Sequence, residues 1–277
     1  MADDLWRLDA TDLAALIRHG RASAREAVRA CLDRLEAVYP SLNAVVQRMD
    51  AEALATAEAA DAARARGEVL GPLHGVPVTI KVNVDQRGYA TTNGVVAFQE
   101  MVAKEDSPVV ANLRAAGAIF IGRTNTPAFS MRVMTDNAAH GRTLSPRDPT
   151  ITPGGSSGGA GAAIAAGIGP IAHGNDIAGS VRIPAYCCGV VGLRTGYGRV
   201  GAYSTQSPAG RPLGSQFMST QGPLARSVRD LRLALSVMAR DGGVDWRWSA
   251  APLEGPPPRR PIRVALVPAV PGGFTHP

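Results

Sequence analysis

β-Prone runs alternate with helical patterns along most of the chain, and this alternation limits the folds that it can adopt. The runs 76–81 (VPVTIK) and 118–121 (AIFI) predict buried strands, because each is short and apolar. Between them, Ser107 and Pro108 predict a helix start, with serine as the N-cap and proline at the first helical position. Strands that alternate with helices in this way predict a layered α/β fold.

The remaining periodic segments continue the alternation. Ser23 and Glu26 form a capping box at the start of a helix that Pro40 is expected to end. The Pro-rich stretch 251–261 is typical of a linker. Further helices are predicted over 11–19, 50–66, the small-residue run after the GGSSGG segment (154–159), and 227–240, and further strands over 43–49, 168–172 and 262–267.

The composition indicates a globular protein and argues against several kinds of site. Of the 277 residues, 45% are hydrophobic, and the formal net charge is +6. The basic residues are scattered, without a stripe interleaved with aromatic side chains, which argues against nucleic-acid binding. The three cysteines, two of them adjacent, form neither a disulfide framework nor a zinc site. We therefore expect no metal and no nucleic-acid partner.

The N-terminus and the apolar runs indicate in which cellular compartment the protein is expected. The first residues, MADDLWRLDATDL, lack the basic start and the apolar run of a signal peptide. No apolar stretch is long enough to span a bilayer. Together with the cysteine pattern, these features predict a cytoplasmic protein without a membrane partner.

The segment 152–160 (TPGGSSGGA) places four glycines around two adjacent serines. It does not match a phosphate-binding P-loop, because alanine and glycine follow where that loop needs lysine and then serine or threonine. Residues 154–158 do match the G-x-S-x-G nucleophile elbow. A nucleophile elbow directly follows a strand, whereas proline-rich residues precede this loop. The elbow also needs a histidine base later in the chain, and only His173 and His276 follow the loop. A plain flexible loop is the remaining interpretation.

A lysine and a second glycine-flanked serine allow a different chemistry. Lys81 ends an apolar strand, where burial can lower the pKa of a lysine from about 10.4 by up to ~3–5 units. Ser180 lies within NDIAGSVRIP (175–184). One neutral lysine and two serines, here Ser156 and Ser180, suffice for a relay that activates a nucleophile without histidine.

Four ordered blocks of the sequence resemble the amidase signature family. Lys81, Ser156 and Ser180 stand 75 and 24 residues apart, which is how this family separates its catalytic residues. The N-terminal helices are also similar, so the resemblance covers nearly the whole chain. The four blocks are GVPVTIKVNVD (75–85), GRTNTPAFSM (122–131), TPGGSSGGAGAAIAAG (152–167) and GNDIAGSVRIPAYCCGVVGLRTGYGRV (174–200).

The resemblance implies a role for each of these residues. Ser180 matches the family nucleophile, Lys81 the base, and Ser156 the serine that bridges them, after a peptide bond from Gly155 that is cis in the family. Ser157 is implied as a supporting residue. An oxyanion hole is implied at the backbone N–H groups of Ile177, Ala178, Gly179 and Ser180.

Two charged residues near the nucleophile match supporting positions. Asp176 matches an aspartate that is structural and close to the site in the family, and Arg182 resembles a scaffold arginine that could also bind an acidic substrate. Each residue has an ordinary alternative when taken alone: Lys81 as a strand-end lysine, Ser156 as a helix cap and Asp176 as a turn former. Their joint spacing favours the catalytic interpretation.

The chain departs from the family pattern in two residues and in length. Ala178 stands where the family has the first of two glycines, and Asn175 where it has threonine. A methyl group at 178 would crowd the oxyanion hole if glycine backbone angles are required there. The chain is also shorter than the family's chains, and the predicted strand 262–267 is followed by a segment without helix or strand pattern. We therefore expect the natural chain to continue beyond Pro277, or another chain to supply the missing part.

The fold implied by the resemblance is α/β, with a mixed β-sheet core covered by helices on both faces and incomplete at its C-terminus. No internal repeat divides the chain. The implied organisation is an N-terminal helical segment packed on the core (1–70), a catalytic core (71–250), a Pro-rich linker (251–261) and the start of a C-terminal part (262–277).

The activity implied by the resemblance is hydrolysis of a carboxylic amide, through an acyl-enzyme, to an acid and ammonia or an amine. The implied partner is a small-molecule amide, no cofactor is implied, and a homodimer stays open. Two other functions stay open: a glutaminase component of an amidotransferase complex, and a degenerate relative without catalysis. Co-purifying partners together with glutaminase activity would favour the first, and acylation of Ser180 would exclude the second.

Overall fold

The computed structural model describes residues 2–204, 212–243, 245–257 and 260–265, and within them one six-stranded sheet forms the core. The strands are β1 (Val45–Arg48), β2 (Pro77–Lys81), β3 (Ile119–Thr124), β4 (Ile171–Asp176), β5 (Val191–Gly192) and β6 (Thr220–Ala225). They lie side by side in the order β1-β3-β2-β4-β6-β5.

The helices begin largely where local sequence signals place them. The predicted capping box is present, since the Ser23 hydroxyl accepts from the Glu26 N–H at 3.0 Å and the Glu26 carboxylate accepts from the Ser23 N–H at 2.8 Å. Among the described residues, no helix combines the length and the apolar character needed to cross a membrane. The α-helices are α1 (Ala10–Arg18), α2 (Ala24–Leu42), α3 (Asp50–Ala65), α4 (Pro108–Ala115), α5 (Gly158–Ala166), α6 (Arg182–Cys188), α7 (Leu213–Met218) and α8 (Val228–Met238).

The sheet contains both parallel and antiparallel pairs, as predicted. Strand β2 runs parallel to β3 and to β4. Strand β1 pairs antiparallel with β3, and β6 pairs antiparallel with β4 and β5. Parallel strands end at the same edge of a sheet, which is where α/β proteins commonly bind ligands. Lys81 and Asp176, the last residues of β2 and β4, therefore lie toward one edge.

Helices cover both faces of the sheet, which confirms the predicted fold class. Successive side chains of a strand point to opposite faces, so β3 contributes to two cores. Ile119 and Ile121 pack with residues of α2 and α5. Phe120, between them, packs with residues of α4 and α8.

Two local predictions are wrong in position. Helix α2 does not end at Pro40 but continues to Leu42, where Asn43 closes it in the left-handed region at a φ of 48°. A proline removes only its own N–H from the helix, and the helix stops within three residues of it. The strand predicted over 168–172 lies at Ile171–Asp176. The prediction ended too early because the second half of the observed strand is buried but polar, and such a sequence is not typical of a buried strand.

The predicted strand 262–267 is absent over its described part. Residues 262–265 are irregular and exposed, and Val264 retains 80% of its accessible surface. An apolar run forms a strand only where a neighbouring strand pairs with it, and the irregular 262–265 segment has no such partner among the described residues. Residues 266 and 267 lie outside the described residues, and the boundaries at 70, 250 and 261 stay predictions.

Candidate active site

The most deeply buried cation of the predicted site is Lys81, at the end of β2. Its side chain has no exposed surface. The ammonium nitrogen Nζ lies 2.8 Å from the Ser156 hydroxyl, 3.0 Å from the Ser157 hydroxyl and 2.8 Å from Oδ1 of Asn175. Lys81 and Ser156, which are 75 residues apart in sequence, are therefore in direct contact.

Burial determines how Lys81 titrates. Because no water reaches the side chain, burial lowers the pKa of Lys81 well below its ordinary value of 10.5. The negative charge of Asp176 acts in the opposite direction and only partly offsets burial. The lysine is therefore a proton acceptor in a pH range where an exposed lysine would be charged.

The glycine-rich loop 152–157 brings the two serines to the lysine. The Gly155–Ser156 peptide bond is cis, as in the family that the sequence resembles. Gly154 has a φ of +80°, in the region that favours glycine. A Cβ on Gly155 would lie 2.5 Å from the carbonyl oxygen of Arg132, so backbone from another segment packs where a side chain would stand. The glycines thus allow close backbone packing around the two hydroxyls.

The turn after β4, residues 177–181, is organised by the carboxylate of Asp176. One carboxylate oxygen accepts from the Gly179 N–H at 2.8 Å, and the other accepts from the Val181 N–H at 3.0 Å. The Arg182 guanidinium donates to both oxygens at 3.1 Å. Burial alone would raise the pKa of Asp176, but these donors outweigh it and the pKa is lowered.

Ser180 lies in this turn and contacts the serine loop through its backbone. Its carbonyl oxygen accepts from the Ser157 N–H at 3.1 Å, and the residue is partly exposed. Within the described part of the chain, no hydrogen bond joins the Ser180 hydroxyl to Ser156. The structure therefore joins Lys81 directly to Ser156, and joins Ser180 to the same loop through Ser157.

The four N–H groups of the predicted oxyanion hole differ in their partners. The Gly179 N–H is occupied by Asp176. Those of Ile177, Ala178 and Ser180 have no acceptor among the described residues. Ile177 and Ala178 are exposed, so their side of the turn is open to a ligand.

The departure at Ala178 has little backbone consequence. Gly179 has a φ of +114°, whereas Ala178 is not one of the described non-glycine residues with positive φ. The angle that only glycine tolerates easily is therefore required at 179 and not at 178. The condition under which the methyl group was expected to crowd the oxyanion hole is not met.

A polar network behind Lys81 was missed by sequence analysis. Asn175 and Asn83 pair through their carboxamides, with Asn175 Nδ2 donating to Asn83 Oδ1 at 2.9 Å and Asn83 Nδ2 donating to Asn175 Oδ1 at 3.2 Å. Asn83 Nδ2 also donates to the Ser130 hydroxyl at 2.8 Å, and Ser130 donates to Asn93 Oδ1 at 2.8 Å. The one available signal was Asn175 itself, which departs from the family pattern.

His173, the histidine that an elbow mechanism would need, is bound elsewhere. It is fully buried in β4, and its Nε2 lies 2.7 Å from Oε1 of Gln221. Burial lowers the pKa of His173 to about 4, although the bond to Gln221 acts in the opposite direction. Among the described residues, no strand leads directly into the serine loop, as expected from the sequence. Both features argue against the elbow.

Comparison with known proteins gives consistent matches over most of the chain. The family model described as Amidase matches residues 26–270. An indoleacetamide hydrolase from Bradyrhizobium diazoefficiens is 56% identical over 262 residues, which cover 95% of this chain and 50% of that protein. One subunit of a glutamyl-tRNA(Gln) amidotransferase from Moorella thermoacetica is 40% identical over 242 residues, which cover 87% of this chain and 48% of that protein.

A solved structure supports the same relationship. A bacterial aryl acylamidase, described as an amidase signature enzyme, is 32% identical and superposes with a TM-score of 0.81 over 89% of this chain and 50% of that chain. The chain spans about half the length of the curated relatives that it matches. The family match, the fold and the sequence identity agree, and the chain belongs to the amidase signature family.

Proposed function

We propose that the protein hydrolyses a carboxylic amide with Ser180 as the nucleophile, Ser156 as the bridging serine and Lys81 as the base. The observation that carries the proposal is the 2.8 Å contact between the Ser156 hydroxyl and a fully buried lysine with a lowered pKa. A neutral lysine accepts a proton from Ser156, which accepts one from Ser180. General base catalysis of this kind contributes roughly 10²–10⁴-fold to a rate.

The proposed reaction has two halves that use the same relay. In the first, the Ser180 oxygen bonds to the amide carbon, the C–N bond breaks, and the nitrogen leaves with the proton that Ser180 gave up. In the second, water gives a proton to the relay and attacks the acyl-enzyme, and Ser180 recovers its proton as the acid leaves. The negative charge on the carbonyl oxygen is held by the N–H groups of Ile177, Ala178 and Ser180.

The substrate class is an amide of a carboxylic acid, and the primary amide of an arylacetic acid is the first candidate. This choice rests on the relative named indoleacetamide hydrolase, which is 56% identical. The second candidate is glutamine, as the ammonia source of an amidotransferase complex, because the amidotransferase relative is 40% identical. The accessible oxyanion turn and the backbone angle at Ala178 favour either activity over a non-catalytic relative.

Hydrolysis of an amide panel tests the proposal. The protein is incubated with indoleacetamide, an aliphatic amide, an aryl amide and glutamine, and ammonia or amine release is measured. Ser180→Ala is expected to abolish release and also labelling by a fluorophosphonate, whereas Ser41→Ala, on an exposed helix end, retains both. Labelling that persists in Ser180→Ala and is lost in Ser156→Ala would contradict the proposal and favour the elbow.

A further inference from the structure

A neutral lysine acts as a base only through its lone pair, so the direction of its two N–H groups matters. Three oxygen atoms surround Lys81 Nζ: the hydroxyls of Ser156 and Ser157 and Oδ1 of Asn175. If an N–H pointed at Ser156, the lone pair would point elsewhere and the proton of Ser156 could not be accepted. The partners of these oxygens determine which arrangement holds.

Two of the three oxygens are acceptors toward the lysine. A carboxamide oxygen has no hydrogen, so Asn175 Oδ1 can only accept. The Ser157 hydroxyl donates its hydrogen to the backbone carbonyl of Asn175 at 3.3 Å, which leaves its oxygen to accept from Lys81. Both N–H groups of a neutral Lys81 are thereby used, and its lone pair faces the Ser156 hydroxyl.

The orientation of the Asn175 carboxamide is fixed by its neighbours. Ser130 donates its hydrogen to Asn93, so Asn83 faces Ser130 with its NH₂ group. Asn83 Oδ1 is therefore turned toward Asn175, where it accepts from Nδ2 at 2.9 Å. That bond turns the Asn175 nitrogen away from Lys81 and its oxygen toward it. Asn175 is only 9% exposed, so solvent does not compete strongly for the carboxamide.

We propose that Asn175, held by Asn83, is a positioning residue for the base. Together with Ser157 it takes the two N–H groups of neutral Lys81, so that the lone pair is directed at the Ser156 hydroxyl. This inference rests on the proposed function, in which Lys81 is the base. It assigns a role to the asparagine that stands where the family has threonine.

The charged groups around Lys81 define the background for a test. Asp176, in β4, favours the protonated lysine. His173, in the same strand, is neutral above about pH 4, because burial lowers its pKa to that value. Arg123, in β3, is fully buried; burial lowers its pKa to about 10, and the charge of Asp85 acts in the opposite direction. Helix α5, which follows the serine loop, carries no titratable side chain.

The composition allows the pKa of Lys81 to be measured directly. The chain contains two lysines, Lys81 and the exposed Lys104, so NMR of protein labelled at the lysine ε-carbon gives two signals, one for each lysine. Asn175→Asp is expected to raise the pKa of Lys81 by about 1–3 units, because it places a carboxylate against Nζ. Asn93→Asp makes the same change at the far end of the network and is expected to leave the pKa of Lys81 nearly unchanged.

The rate of Ser180 labelling by a fluorophosphonate tests whether the lone pair of Lys81 is directed at the Ser156 hydroxyl. Asn175→Leu has a similar volume and no acceptor, so the amine is free to turn, and labelling is expected to slow by on the order of tenfold or more at every pH. Asn175→Asp keeps two acceptor oxygens, so its labelling is expected to approach the wild-type rate above the raised pKa of Lys81. Thermal melting by circular dichroism establishes that each variant is folded.

The outcomes separate this inference from the proposed function. Wild-type labelling in Asn175→Leu, or an Asn175→Asp shift no larger than that of Asn93→Asp, would overturn the positioning role even if Ser180 reacts normally. A wild-type protein in which Ser180 never labels would contradict the proposed hydrolysis. The titration would still measure the effect of Asn175 on the pKa of Lys81 in that case, because it does not depend on turnover.

Discussion

Lys81 combines an unfavourable location for a charge with contacts that suit the neutral amine. It lies in the core among three oxygen atoms at 2.8–3.0 Å, and burial is the main cause of its lowered pKa. A buried ammonium would need a close anionic partner, and the direct partners here are uncharged. The contacts therefore favour the neutral form on which the proposed mechanism depends.

The lowered pKa of Lys81 predicts a pH-dependent stability. An unfolded lysine titrates near 10.5, and the folded value is well below this. Between the two values the unfolded state holds one more proton, so the stability of the wild type rises with pH. We expect the stability advantage of Lys81→Met over the wild type to fall with pH, by about 1.4 kcal/mol per pH unit where the difference is one full proton.

Urea unfolding at several pH values measures this difference. Lys104→Met is the control, because it removes a lysine that is exposed in the folded protein, and its difference from the wild type is expected to stay constant with pH. A constant difference for Lys81→Met between neutral pH and about pH 10 would mean that Lys81 is not held neutral in the folded protein.

The end of β4 shows how one carboxylate can hold the turn that follows a strand. Asp176 accepts hydrogen bonds from two backbone N–H groups of residues 177–181, and it has no exposed side-chain surface. The turn presents Ser180 and the unoccupied N–H groups on its open side. A neutral side chain at this position would weaken the hydrogen bonds that hold this turn.

Asp176→Asn is expected to reduce the free energy of unfolding by about 2 kcal/mol, as charge-assisted bonds to buried groups are lost. The carboxylate has a lowered pKa, so its contribution is present above the ordinary value of 3.8 and is lost as the pH falls through the folded pKa. Urea unfolding at neutral pH and in acid measures both effects.

Arg182→Ala serves as the comparison for Asp176→Asn. The Arg182 side chain is 54% exposed, so solvent screens its ion pair and its removal is expected to cost less. An equal loss for the two variants would mean that the ion pair, and not the backbone hydrogen bonds, carries the effect of Asp176.

Two helices are capped at their N-termini by carboxylates that lie far from them in the sequence. Asp9 precedes α1 but makes no side-chain cap, and Asp230 of α8 instead accepts from the N–H groups of Ala10 and Thr11 at 2.7 and 2.9 Å. At the start of α2, Asp61 of α3 accepts from the Ala24 N–H at 2.7 Å. Helix starts leave N–H groups without partners, so these contacts stabilise both the helices and their packing.

Asp230→Ala is expected to lower the free energy of unfolding by about 1–3 kcal/mol, because it leaves buried N–H groups without an acceptor. It should also speed amide hydrogen exchange at the start of α1. Asp12→Ala, which removes an acidic group that is 53% exposed and pairs with Arg229, is the control with little effect. Similar exchange in the two variants would contradict the capping role of Asp230.

Several parts of the fold could be read from the sequence because their causes lie within a few residues. The capping box of α2 joins residues three apart, and β2 is a short apolar run that begins one residue from its predicted start. The family spacing also predicted that Lys81 would lie beside Ser156, and their atoms are 2.8 Å apart. The resemblance to the amidase signature family implied the helices on both faces of the sheet.

Other features depend on contacts between residues far apart in sequence, and no local pattern records them. Asn175 pairs with Asn83, 92 positions away, and Asp230 caps a helix start 220 positions away. The polar half of β4 is a strand because β6 pairs with it, and its own residues do not predict that. The loops that meet at Lys81 are placed by the folded sheet, so the direction of its hydrogen bonds follows from tertiary packing and not from the order of residues.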